Sequence, residues 1–114
     1  MIAAVIGSRT FNDLSLLTNV LDSFDIHKIV SGGAKGADSL SELYAIKNDI
    51  NTEIFKPDWK KYGRSAGFVR NKDIVLASDI VIAFWDGVSK GTQNSISIAQ
   101  KHSIKVEIIR YDRV

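Results

Sequence analysis

Cysteine is absent from this 114-residue chain, and its absence excludes disulfides and thiolate metal sites. The two histidines, His27 and His102, stand far apart and outside the glycine-containing loops. A zinc or iron centre is therefore not expected, and no cofactor is implied. No apolar run approaches the length of about eighteen residues that a membrane span needs, so no membrane association is expected. Met1 leads straight into the core-strand pattern Ile2-Ala3-Ala4-Val5-Ile6, with no basic leader or cleavage site. A cytoplasmic location is the expectation. Charge of one sign is scarce as well: a formal net charge of +2 is too small to indicate a duplex-binding surface by itself.

Hydrophobic residues make up 45% of the chain, enough for one real core, and residues 1–114 are read as a single domain. Short β-branched runs at Ile2–Ile6, Lys28–Ser31, 52–55, 79–85 and 104–109 read as strands. They are mostly unalternated, as in strands buried on both faces of a parallel sheet. Between them lie four helical segments. The first carries Leu14, Leu17, Leu21 and Phe24 behind the caps Asn12 and Asp13, and the second carries Leu40, Leu43, Tyr44 and Ile50. The third runs from about Ser65 to Ala77 and the fourth from about Thr92 to His102. The alternation predicts an α/β fold, a Rossmann-like three-layer sandwich of about five parallel strands and four helices.

All eight glycines fall in strand-to-helix connections or the helical turn that follows. In a parallel sheet these connections share the carboxyl edge, where open α/β folds place their ligands. Arg9, Lys35, Lys60, Lys61, Arg64 and Lys90 lie there too, so the chemistry expected is that of an anion site. The stretch Ser31-Gly32-Gly33-Ala34-Lys35-Gly36-Ala37-Asp38 is the strongest single signal. Its glycines allow a sharp turn and close backbone approach, and a helix follows whose free N–H groups favour an anion. It is neither a Walker A loop nor a G-x-G-x-x-G fingerprint. The alternative is that these glycines only make a tight turn. Asp38, in the first turn, either stabilises the helix dipole or takes a ribose hydroxyl, with Glu42 one turn later on the same face.

Three further loops add candidates. Gly7-Ser8-Arg9-Thr10 offers amides, hydroxyls and a guanidinium suited to phosphate, unless the hydroxyls merely bond their own turn. Residues 56–64 interleave Trp59 and Tyr62 with cations, suiting a flat ring or single-stranded nucleic acid, unless the aromatics cover the sheet edge. Asp86-Gly87-Val88-Ser89-Lys90-Gly91-Thr92 supplies a second amide cluster before a helix, with Asp86 placed for ribose hydroxyls. In the third helix Ala66, Val69, Arg70, Asp73, Ile74 and Ala77 trace one stripe. Arg70 is expected to lean into the cleft.

The set G-S-R (7–9), S-G-G-A-K-G-A-D (31–38), D-W-x-x-Y-G (58–63), A-G-x-x-R-N (66–71), A-F-W-D-G (83–87) and S-x-G-T (89–92) resembles the YspA-like members of the SLOG superfamily. That superfamily also holds the LOG phosphoribohydrolases and DprA-like proteins. The resemblance implies strand order 3-2-1-4-5, homo-oligomers, and a nucleotide or ADP-ribose-like ligand between the Gly32–Gly36 and Gly91–Thr92 loops. The loop chemistry and the resemblance together give the expected ligand-binding set Gly7, Ser8, Arg9, Gly32, Gly33, Lys35, Gly36, Asp38, Trp59, Arg70, Asn71, Asp86, Ser89, Gly91 and Thr92. LOG-type enzymes carry a glutamate three residues after the threonine of their G-T motif. Here Ser95 stands there, so the expected catalytic carboxylate is missing and a binding role leads. N-glycosidic hydrolysis would have to use Asp38, Glu42 or Asp86, and nucleic-acid binding ranks below both.

Overall fold

The computed structural model describes residues 1–112. Five strands form one parallel sheet: β1 (Ile2–Gly7), β2 (Lys28–Ser31), β3 (Asn51–Ile54), β4 (Ile80–Trp85) and β5 (Lys105–Arg110). Their order is β3-β2-β1-β4-β5. The connecting helices are α1 (Leu14–Asp22), α2 (Ala37–Lys47), α4 (Ala66–Leu76) and α5 (Lys90–Lys101). A single-turn helix α3 (Trp59–Tyr62) and a 3-10 turn (Gly63–Ser65) occupy the connection after β3. Among the described residues no helix is long and apolar enough to cross a membrane.

Alternation along the central strands divides the core into two layers. Ala3, Val5, Ile29, Ile80, Ile82 and Phe84 pack with Leu17, Leu21 and Tyr44 of α1 and α2. Ala4, Ile6, Val30, Val81 and Ala83 pack with Ile74 and Val75 of α4 and with Ile96 and Ala99 of α5. Each fully buried Val, Leu, Ile or Phe contributes roughly 1.5–3 kcal/mol. Only the middle strands are covered on both faces. All four residues of β3 are exposed, and β5 is largely so. The expectation of strands buried on both faces holds for β1, β2 and β4 and fails at the edges, because two helices per face span only the middle of a five-stranded sheet.

Local signals set the helix starts. Asp13 caps α1, accepting a hydrogen bond from Leu16 N at 3.0 Å, and Asp58 caps α3, accepting from Lys61 N at 3.1 Å. Leu14 and Leu43 point outward, while Phe24 and Ile50 pack on the core from just beyond their helices.

Candidate functional site

β1 lies between β2 and β4, so its carboxyl end is where the chain reverses its direction of travel across the sheet. A cavity of about 430 Å³ opens there. It is lined by residues from the β1–α1 loop (Gly7, Ser8, Arg9, Thr10), by Ala34 and Asp38, and by Arg70, Asn71 and Ile74 of α4. Asp86, Ser89, Lys90, Gly91, Thr92 and Ser95 close the opposite side, over Ile6. Ten of the fifteen expected ligand-binding residues meet in this one cavity. Gly32, Gly33, Lys35, Gly36 and Trp59 do not line it.

The glycine loop departs from the cradle expected of it, and the reason is a carboxylate. Asp38 Oδ2 accepts hydrogen bonds from Gly32 N at 3.0 Å and Ala34 N at 3.2 Å. The loop amides thus already hold an anion, one supplied by the chain. Arg70 secures the same point from the other side: its Nη1 donates to Gly32 O at 3.1 Å and its Nε to Asn71 Oδ1 at 3.1 Å. A Cβ on Gly32 would overlap the Arg70 guanidinium. Gly36, at φ +86°, lies so close to Ser8 O that only hydrogen fits. Asp73, expected to share the inward stripe with Arg70, is exposed.

Asp38 is 7% exposed. Burial raises its carboxyl from 3.8 to about 6, against the lowering pull of the Ala34 and Gly32 N–H groups and of Arg70, with Glu42 adding to the rise. Its Oδ1 accepts no hydrogen bond among the described residues. Asp86 is set differently. Burial pushes it up, but hydrogen bonds from Val88 N (3.0 Å), Ser89 N (2.8 Å) and Ser89 Oγ (3.0 Å) outweigh that and hold it at about 2. Asp86 organises its own loop. Glu42 is half-buried and does not line the cavity.

Because the Ser89 hydroxyl is turned to Asp86, it makes no capping bond to α5. The N–H groups of Lys90, Gly91 and Thr92 have no carbonyl one turn back within the helix, and the three residues face the cavity. Nothing lies within 4 Å of where a Gly91 Cβ would stand. Buried Thr92 and Ser95 add hydroxyls nearby. This end of α5, unlike the glycine loop, leaves its N–H groups unengaged by any side chain of the helix cap and turned toward the cavity.

Two contacts lay outside the reach of sequence reasoning. Thr10 Oγ1 and Tyr111 Oη lie 2.9 Å apart, and the Arg110 guanidinium sits 5.5 Å from the centre of the Trp85 ring and against Gly87. Trp85 Nε1 in turn donates to Ser89 O at 3.1 Å. The end of β5 thereby ties together the two loops that wall the cavity. Ser8 and Thr10, expected to bond their own turn if they had no ligand, instead reach across it: Asp86 N donates to Ser8 Oγ at 3.4 Å.

Topology and cavity together define a Rossmann-like α/β protein with its cleft at the switch point of the sheet. The chain belongs to the YAcAr family (YspA, cpYpsA-related SLOG family), whose pattern matches residues 1–62. It is 32% identical to the Gene 61 protein of Mycobacterium phage D29 over 114 residues, 90% of each chain. The fold is shared with DNA processing protein A of Streptococcus pneumoniae, at TM-score 0.79 and 19% identity over 96% of this chain and 50% of that one. The same protein from Helicobacter pylori, described with a single-stranded DNA binding mode, matches at TM-score 0.73 and 21% identity over 95% and 64%. The chain thus spans half to less than two thirds of these larger proteins.

Proposed function

We propose that the protein binds a phosphorylated, ribose-containing small molecule, a nucleotide or an ADP-ribose-like compound, as a sensor or sequestering module. The phosphate would sit on the N–H groups of Lys90, Gly91 and Thr92, and a sugar hydroxyl would donate to Asp38 Oδ1. One observation carries the reading: an uncapped helix end and a buried carboxylate with an unshared oxygen line the same cavity. The H. pylori relative binds single-stranded DNA, whose repeating unit is also a phosphorylated sugar. Two carboxylates in the cavity oppose a continuous polyanion and favour a short ligand. The exposed Leu43 and Ile46 on the outer face of α2 support self-association, the other part of the reading.

Calorimetry with AMP and ADP-ribose tests the binding. Gly91→Val should weaken it at least tenfold while the melting temperature stays within a few degrees, because the new side chain enters open space in the cavity. Unchanged affinity in that variant would overturn the phosphate seat. N-glycosidic cleavage is the second reading and rests on Asp38 alone, since Glu42 lies outside the cavity and Asp86 is committed to its loop. Ser95 provides no charge to stabilise an anomeric cation, and loss of such an electrostatic effect costs on the order of a hundredfold to a thousandfold in rate. Free base should therefore stay at background when nucleoside monophosphates are incubated with the protein and followed by chromatography. Turnover on the order of one per second would reverse the order of the two readings.

A further inference from the structure

We propose that α3 and the start of α4 form a stacking platform for single-stranded nucleic acid, separate from the cavity. Three large aromatics stand in water within ten residues: Trp59 is 60% exposed, Tyr62 39% and Phe68 58%. None joins a core cluster and none lines the cavity. Their exposure leaves much of each ring open to a flat ligand, whatever edge the rest of the ring borders. Trp59 and Tyr62 are three residues apart on α3 and so share a face, and α3 packs against the beginning of α4.

The charge around these rings decides among possible partners. Lys56, Lys60, Lys61 and Arg64 surround them in sequence, and Lys61 Nζ lies 5.2 Å from the centre of the Tyr62 ring. No carboxylate stands within 4.0 Å of any of these cations among the described residues. The one acid of the segment, Asp58, is engaged in capping α3. An apolar protein partner would bury these cations without compensation, and duplex DNA hides its base faces. A single strand offers both complements, flat bases for the rings and phosphates for the cations. Every base has a π face, so the platform is tolerant of sequence.

The test is fluorescence anisotropy at low salt with the full chain and a labelled oligothymidine of about fifteen nucleotides, near the upper end of common single-strand site sizes. An oligouridine and a duplex of equal length serve as competitors. Trp59→Ala and Tyr62→Ala should each weaken binding by about fivefold or more. Both rings are exposed, and unchanged circular dichroism would verify that the variants fold. The slope of log affinity against log salt should be about −2 for three phosphate contacts, and Lys60→Ala with Lys61→Ala should flatten it. Oligouridine should compete comparably and duplex poorly. Gly91→Val should leave the strand affinity intact, which separates this platform from the nucleotide seat. Absence of binding at low salt, equal preference for duplex, or wild-type affinity in Trp59→Ala would overturn the proposal. So would loss of self-association in Trp59→Ala by sedimentation without any oligonucleotide binding.

Discussion

Two aspartates of one cavity sit on opposite sides of their usual range, and pH should separate them. Asp38 is raised to about 6, so between 3.8 and about 6 the folded protein keeps a proton that the unfolded chain has released. Stability should decline as pH rises through that window and level off above it. A rise from 3.8 to about 6 corresponds to roughly 3 kcal/mol at most. Asp38→Asn keeps one acceptor oxygen, which both Gly32 N and Ala34 N can share as they share Oδ2, and should abolish this slope, making the protein more stable than wild type at pH 7 in urea titrations. Asp86 works the other way: its contribution is complete above 3.8 and is lost as pH falls toward about 2. The presence of both acids at the carboxyl edge was legible from their positions after strands. Their division of labour was not, because it depends on which N–H groups the folded loops turn toward each of them.

Among the elements, the connections carry the specificity of the fold. Strands and helices were readable because a parallel sheet imposes continuous apolar runs and glycine marks the ends of its strands, whereas the strand order came only from the resemblance to SLOG proteins. The role of the glycine loop was not readable, since a carboxylate six residues away in sequence fills it. Gly36 shows the distinction between building a loop and touching a ligand. With φ at +86° and Ser8 O against it, Gly36→Ala should cost at least about 3 kcal/mol, on the order of 15 °C in melting temperature. Gly33, at φ +71° and with Ile54 Cγ2 only 2.9 Å from a would-be Cβ, is likewise a structural position. Gly91 is the opposite case, and Gly91→Ala should raise stability by up to about 1 kcal/mol while reducing nucleotide affinity. The helix α3 escaped the sequence reading because four residues are too few to show a period.

Across the whole molecule, the cavity draws on residues from Ile6 to Ser95, and its walls adjoin β1, β2 and β4. Strands β1 and β2 are close in sequence. Strands β1 and β4 pair Ala3 with Ile80 and Gly7 with Phe84, across a long stretch of chain whose closure is entropically costly and slow. With the phosphate seat at the start of α5, as proposed above, the half of the chain that carries the glycine loop would have no anion seat of its own. A chain emerging from the ribosome would stay blind to the ligand until the start of α5 had been made and β4 had docked beside β1. In refolding from denaturant, nucleotide binding should consequently appear together with the β1–β4 pairing and never before it, so that occupancy of the cavity reports on the docking of β4.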